Sequence, residues 1–457
     1  MIIIIGGGIA GLAAAYELAN RRTPFVLLEA GDRIGGLIRT EHTDGFTIDA
    51  GADSILVQKP AALRLCEELG LKSRLLSTTA PRTAFVLRRG RLFALPSRGV
   101  VGIPTTLSAL AKYDLLSPAA RARIALEPLM PRRPRSDESV ASFFCRRFGR
   151  ATVDLIADPL LGGIHAGDVT KLSMPSVFPR LAEAEHSPGG VIRTVARTSS
   201  PAPEGWFRAL RGGMGELVSA IERHLPADSV RLRMAARDVY PAAQRWCIET
   251  DREQIEGDAV IIAAPAHAAA KLLARTDRTA ADLCASVPYV STASVALGFR
   301  RGDISHPLAG SGFVVARKYN DLRITAATWV SSKWADRAPQ GHVLVRAFLG
   351  GAHDPTAIDL SDDELVDTAI RDLADVIGVS GAPVLTRVVR WPNAGAQHNV
   401  GHRARMAGLV ARLRRLPGLF LAGSGYHAIG VSDCVAHGRN VAAEATDYVT
   451  INPVKAS

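Results

Sequence analysis

The chain has 457 residues, 47% hydrophobic and 22% charged, which fits a globular protein with more than one core and excludes a disordered or fibrous one. Its formal net charge is +11, but the basic residues are scattered and aromatics make up 5%, which argues against nucleic acid; an anionic substrate, an acidic membrane surface and base composition remain open. Five widely spaced cysteines (Cys66, Cys145, Cys247, Cys284, Cys434) form no C-x-x-C and no His/Cys ligand pattern, so no metal site is expected and a reducing cytoplasm fits.

In chain order, four isoleucines (Ile2 to Ile5) make a short run of high β propensity. Gly6, Gly8 and Gly11 follow in G-x-G-x-x-G spacing, and an alanine-rich helix is predicted from Leu12 to Leu18. Gly6 permits a tight turn, Gly8 lets the backbone approach a pyrophosphate, and Gly11 lets the helix lie close on the strand. The helix N-terminus adds free N–H groups and a partial positive charge. "FVLLEAG" ends a second strand at Glu29, 18 residues past Gly11, about where an acid meets a ribose hydroxyl. A dinucleotide is expected here, with NAD and FAD both open. Since the first strand starts at residue 2, no signal peptide is expected.

A hairpin is predicted around Asp44-Gly45, a helix over residues 60–76, and a second hairpin in "AFVLRRGRLFAL", turning at Arg89-Gly90. Residues 96–200 are rich in arginine, proline and alanine and read as a mostly helical insertion. Strands return in "DSVRLRM", "RWCIET" and "GDAVIIAAP"; the last, with the alanines after it, is too short to span a bilayer. An antiparallel sheet is read from "STASVALGFR", "GSGFVVAR", "RITAATWVSS" and "HVLVRAFLGG". A polar helix, "SDDELVDTAIRDLADVIG", and a strand, "APVLTRVVRW", come next. The chain then closes with a second strand, glycine loop and long helix, "GLFLAGSGYHAIGVSDCVAHGRNVAAEATDYV". A simple NAD dehydrogenase completes its nucleotide domain in one block, whereas a late return of this kind suits a flavoprotein.

Several separated stretches, spread over the whole chain, carry a resemblance. "GGGIAGLAAA" and "VLLEAGDRIGGLIRT" are similar to the amine oxidase/phytoene desaturase superfamily of FAD enzymes. "DESVASFF", "ADPLLGGIHAGD", "FRALRGGMGEL", "RWPNAGAQHNVGH" and "LFLAGSGYHAIGVSDCVAHGR" resemble its protoporphyrinogen and coproporphyrinogen oxidase branch. The implied fold is α/β: a Rossmann-type FAD-binding domain interwoven with an α+β substrate domain and a mostly helical insertion. Residues 1–95, 201–275 and 405–457 would bind FAD, 96–200 would be the insertion, and 276–404 the substrate-domain sheet.

The resemblance implies FAD held non-covalently, since no cysteine matches the position used for covalent attachment elsewhere in the superfamily. Gly6, Gly8, Ile9, Ala10 and Gly11 would hold the pyrophosphate, and Glu29 with Ala30 the ribose. Arg33, Gly35, Gly36, Leu37 and Arg39 would follow the pyrophosphate and ribityl chain. Gly51, Ala52, Asp53 and Ser54 would lie near the flavin ring, Ala236 to Val239 near adenine, and Trp391 near the ring system. Gly423, Ile429, Gly430 and Val431 would touch the flavin at the last helix N-terminus. The chain departs from the family at Gly395 to His398, where Met-Pro-Gln-Tyr is common, at Ser424-Gly425, at Ser432, and at His165, where an aromatic is usual.

The implied reaction is oxidation of protoporphyrinogen IX to protoporphyrin IX in heme biosynthesis, six electrons passing in pairs through FAD to dioxygen with release of hydrogen peroxide. Coproporphyrinogen III is the alternative substrate; another amine or carotenoid oxidase, or a non-catalytic FAD and porphyrin carrier, ranks lower. Aromatisation drives the chemistry, so no catalytic acid or base is required. Candidates for the tetrapyrrole pocket are the carbonyl of Gly163, His165, Arg91, Arg98 and Trp329. Arg121, Arg123, Arg132, Arg133 and Arg135 are expected on a face meeting solvent, the inner side of a membrane, or ferrochelatase. A cytoplasmic location, peripheral to the membrane if attached, follows.

Overall fold

The computed structural model describes residues 1–97, 99–198 and 204–452. Five parallel strands form the first sheet, in the spatial order Val230–Arg231, Phe25–Leu28, Ile2–Ile5, Ala259–Ile262 and Leu419–Leu421. The four isoleucines are fully packed because both faces of this sheet are covered. Ile2 and Ile4 enter one core, and Ile3 and Ile5 the core on the opposite face, as the two-residue period of a strand requires.

On the first face the helix Ile9–Asn20 lies against the C-terminal helix Val431–Ile451. Their crossing is set by Gly438, where an added Cβ would stand 2.1 Å from the carbonyl oxygen of Ala10. The opposite face carries an antiparallel meander (Ala236–Ala242, Arg245–Thr250, Gln254–Gly257) and the helices Ala266–Leu273 and Arg278–Ala285.

The second sheet has seven strands, in the order Leu385–Ala396, Tyr289–Arg300, His342–Gly350, Ala326–Trp329, Gly312–Val315, Ala84–Arg88 and Arg91–Ala94. The helix Asp362–Ile377 shares a core with it. This helix starts at a capping box, with Ser361 Oγ accepting from Glu364 N at 3.2 Å and Glu364 Oε2 accepting from Ser361 N at 2.8 Å. It stops at Gly378, with φ +64°.

Two expectations are corrected. The hairpin over residues 84–94, grouped in the sequence with the nucleotide-binding part, joins the second sheet through parallel pairing of Ala84–Arg88 with Gly312–Val315. The helix expected over 60–76 runs only over Ala61–Glu68. Gly70, at φ +75°, turns the chain into a short 3₁₀ turn and the strand Leu75–Ser77.

The region from residue 99 to 198 is largely helical with its own core. Side chains of Thr106, Ser117 and Ser139 cap the helices Leu107–Ala111, Pro118–Ala125 and Val140–Phe148. A ten-residue π-helix, Val153–Gly162, follows. Behind it Arg147 and Glu127, 1% and 0% exposed, are paired in the interior. Glu127 also accepts from Val191 N at 2.9 Å, which fixes the start of the helix Gly190–Thr198. Val314, Tyr319 and Ile429 pack on this core, so the insertion touches both the second sheet and the C-terminal loop.

Candidate functional site

The carboxyl ends of the first-sheet strands converge where an open parallel sheet places its ligand. Gly6 has φ +108°, and a Cβ there would meet the backbone of Ala263 at 3.0 Å. At Gly11 an added Cβ would lie 2.0 Å from the Gly6 carbonyl oxygen, so the first helix can approach only with glycine in place. Gly8 is different: a Cβ on it meets nothing within 4 Å. Its carbonyl accepts the first helical bond, from Leu12 N at 2.9 Å, which leaves the amides of Ile9, Ala10 and Gly11 without helical partners.

Glu29 stands at the end of the second strand with its carboxylate fixed by Gly7 N at 2.7 Å and Gly31 N at 2.8 Å. Ala30 beside it is exposed, and Ala236 lies near it through the bond from Met234 N to the Glu29 carbonyl, 2.9 Å. Val239, expected at adenine, has its side chain in the core with Ile248 and Trp246, on the packed face of the meander. Gly35 and Gly36, at φ +103° and +55°, lie on the glycine loop; Gly35 N donates to the Gly7 carbonyl at 2.7 Å. Arg33 closes this turn by donating to the Gly36 carbonyl at 2.7 Å and to those of Ile34 and Ile38 at 3.2 Å. Leu37 is exposed, and Arg39 pairs with Glu41 at 2.6 Å.

The loop Ala50 to Ser54 runs beneath Trp391, whose indole N–H donates to the Ala50 carbonyl at 3.2 Å. Gly51 is confined between the Leu37 carbonyl and the Trp391 ring. Lys333 and Arg346 each reach the same oxygen of Asp53 at 3.2 Å, while Ser54 donates to the other at 2.8 Å. Burial pushes this carboxyl up, but the two cations override it and hold Asp53 well below the usual carboxylate range. Arg346 also donates to the Gly51 carbonyl at 3.0 Å, and Arg337 pairs with Asp49 at 3.2 Å.

Gly423, at φ +117°, brings the C-terminal loop over Ala10 and Ala263. Gly430 faces open space, like Gly8, and Asp433 accepts from Ile429 N and Gly430 N at 3.4 and 3.3 Å while pairing with Lys59 at 2.5 Å. Val431 begins the last helix. Two stacked imidazoles, His398 and His402, with centroids 3.9 Å apart, support this loop. Their Nε2 atoms lie 2.8 Å from the Ser424 carbonyl and 2.7 Å from that of Tyr426. Nε2–H donation to these carbonyls fixes the tautomers, and burial pushes both groups down to about 4.

The turn around Gly163 and His165 packs toward the second sheet. An added Cβ on Gly163 would be 3.9 Å from Val314, and Ala352 N donates to the Ala166 carbonyl at 2.8 Å. Gln397 Nε2 donates to the His165 carbonyl at 2.9 Å, so one segment supports both this turn and the C-terminal loop. Burial, then the charge of Lys59, pushes His165 down to about 4, and its ring meets Phe178 edge-on. Trp329, expected to face a macrocycle, is corrected: it is 0% exposed, packed on Phe85 and His306 in the core shared with Asp362–Ile377. Arg91 is exposed on the edge strand, stacked over Phe93. Arg98 lies outside the described residues.

The sequence reading missed Lys333, Arg346 and Arg337, whose partners are hundreds of residues away. A lone arginine inside the apolar strand His342–Gly350 was the available signal, since a buried charge must be paired. Among the described residues, no cluster of three metal-ligating side chains occurs, and no helix is long and apolar enough to cross a membrane.

The open cradles at Gly8 and Gly430, each at a helix N-terminus, fit a dinucleotide spanning the sheet. A parallel nucleotide-binding sheet closed by its own C-terminal segment and joined to a second sheet is an arrangement that suits a flavin-binding protein. The profile of the family described as flavin containing amine oxidoreductase matches residues 9–446. The chain belongs to this family, and FAD is its cofactor. It is similar to the Bacillus subtilis protein named coproporphyrinogen III oxidase, at 34% identity over 98% of both chains. The Arabidopsis thaliana protein named protoporphyrinogen oxidase 2 is 27% identical over 98% of this chain and 94% of its own. A crystal structure from Exiguobacterium sp. 255-15, whose name is that of a protoporphyrinogen oxidase, superposes with TM-score 0.87 at 31% identity, covering 97% of this chain and 98% of its own. Reduced UDP-galactopyranose mutase, at 18% identity and TM-score 0.74, shares the fold over 100% of this chain and 96% of its own.

Proposed function

We propose that the chain oxidises coproporphyrinogen III to coproporphyrin III in heme biosynthesis. The observation that carries this reading is the whole-length identity, 34%, to the Bacillus subtilis protein of that name. Protoporphyrinogen IX, the substrate expected first from the sequence, has weaker support in the 27% identity to the plant protein named protoporphyrinogen oxidase 2. Bound FAD would supply a two-electron acceptor, with dioxygen as terminal oxidant and peroxide as its product.

The chain's own part is to bind, orient and exclude water. The amides at Ile9 to Gly11 and the glycine pair Gly35-Gly36 would hold the pyrophosphate, and Glu29, already fixed by two amides, the ribose. Gly51 to Ser54 with Trp391 would border the ring from one side and Gly423 to Val431 from the other. The Gly163 carbonyl, which spends only a long 3.3 Å bond on Ala166 N, would accept a pyrrole N–H. His165, kept neutral at neutral pH, would line the pocket and not act as a base. Exposed Leu107, Leu126 and Leu129, with exposed Arg132 and Arg133 of the same region, would make a peripheral contact with an acidic membrane surface. Arg123 would not take part, because its guanidinium donates to the carbonyls of Arg146 and Arg147.

The test is anaerobic mixing of the holoprotein with each porphyrinogen, followed by oxygen. Flavin bleaching and peroxide release are expected with both, and faster bleaching with coproporphyrinogen III. A faster rate with protoporphyrinogen IX reverses the substrate assignment, and flavin that stays oxidised with both ends the proposal.

A further inference from the structure

Two cations share one carboxylate oxygen beneath the loop Ala50 to Ser54. Lys333 Nζ and Arg346 Nη2 each lie 3.2 Å from Asp53 Oδ2, and the three side chains are 13%, 6% and 15% exposed. The neighbouring pair, Arg337 with Asp49, is balanced, one charge against one. The Asp53 group therefore carries one uncompensated positive charge, poorly screened by water. Such a site is costly to bury unless something nearby uses the field. Further signs agree. Arg346 Nε is buried without a hydrogen-bond partner, and Arg346 donates into the Asp49 and Gly51 carbonyls, so its charge is fastened to the loop. Lys333 is held over the faces of Phe207 and Trp334, which keeps its ammonium from retreating to solvent.

We infer that the Lys333–Arg346–Asp53 cluster is an electrostatic site that raises the reduction potential of the bound flavin. The inference rests on the proposal that the loop Gly51 to Ser54 borders the flavin ring. Uptake of two electrons and one proton adds one negative charge to that ring. A fixed net-positive site in a low-dielectric setting favours the reduced form without having to reorganise. The electrons come from the porphyrinogen and leave to dioxygen, so the cluster changes an equilibrium and forms no bond. Lys333 and Arg346 act here at a distance, as residues that set a potential.

If the cluster only pinned the loop, its charges would not set the direction of a potential change. The measurement is the potential of FAD in the full-length holoprotein, equilibrated anaerobically with reference dyes. Lys333→Met should lower it by the equivalent of a tenfold shift, about 30 mV for a two-electron couple. Asp53→Asn, which removes the negative partner, should move it the opposite way, and Lys333→Arg should restore the parent value. Shifts of the same sign in Lys333→Met and Asp53→Asn, or no shift in either, overturn the inference. Should Lys333→Met fail to fold, the sign for Asp53→Asn alone decides. Flavin absorbance in the parent protein separates the two claims: bound flavin without opposite shifts refutes the cluster's role, and absence of flavin refutes the site itself.

Discussion

The nucleotide-binding sheet and the helical insertion reach burial by different means. In the first, apolar strands are covered on both faces, and the special positions are glycines where two backbones touch. Gly11 against the Gly6 carbonyl and Gly438 against the Ala10 carbonyl are steric requirements of the local fold. In the second, an apolar core built around Phe143, Phe144 and Phe148 also holds buried charge: Arg147 with Glu127, and Arg146 with Glu138 and Glu185. Close backbone contact marks the first region, and buried pairing added to an apolar core marks the second. They should therefore fail differently when one side chain is changed.

The largest expected effect is on the glycine side. Gly11→Ala places a methyl carbon 2.0 Å from the Gly6 carbonyl oxygen, with backbone on both sides of the clash. The first helix must move off the sheet, at a cost of more than about 4 kcal/mol. The expected outcome is purified protein without flavin absorbance and a lowered unfolding midpoint. A variant that retains stoichiometric FAD would show that the helix has freedom this packing denies it.

Next comes the charge side. Glu127→Ala leaves Arg147 buried with the longer 3.6 Å pairing to Glu185 and frees the amides of Val191 and Ile192. Breaking a buried pair in this way costs about 3–5 kcal/mol. The double change Glu127→Leu with Arg147→Met should recover part of it, because the unbalanced guanidinium is gone while Glu185 keeps its pairing with Arg146. Denaturant unfolding of the three variants checks both statements, and the folded fraction of Glu127→Ala should still hold FAD. If the double variant is as unstable as the single one, the network contributes more than mutual neutralisation.

The same contrast explains what could be read from the sequence. The strand of isoleucines, Gly6, Gly8, Gly11 and Glu29 are close in the chain, and the chemistry that demands them is local. Both hairpin turns could be read as well, since Asp44-Gly45 and Arg89-Gly90 each adopt positive φ in sequence. The membership of the second hairpin could not, because its partner strand Gly312–Val315 is more than two hundred residues away. Trp329 looked like a pocket residue because a strand shows two faces and the sequence does not say which one the helix Asp362–Ile377 covers. The pairing of Lys333 and Arg346 was hidden for the same reason, although Arg346 inside an apolar strand was itself a signal: Asp53 meets them only after two sheets have been assembled.

Acid should separate the two regions with the smallest perturbation. His398 and His402, under the C-terminal loop, are buried and pushed down to about 4 in the fold, against an ordinary 6.5. Below pH 6.5 the unfolded chain binds protons that the folded chain refuses. The stability these groups allow is thus complete above about 6.5 and falls toward 4, by about 1.4 kcal/mol per pH unit for each proton. In the insertion, burial pushes Glu185 up, but hydrogen bonds from Arg146 hold it below its ordinary 4.5. Its contribution is complete above that value and is lost only as pH falls through the lower folded one. Between pH 6.5 and 4.5, then, the histidine-supported loop weakens, and with it the turn that holds His165, while the ion network around Val140–Phe148 stays intact. Hydrogen exchange, corrected for the intrinsic pH dependence, should show protection lost first over residues 423–430 and later over the helix Val140–Phe148. Simultaneous loss would mean that the two regions open as one unit, and the contrast between contact and charge would not extend to their stability.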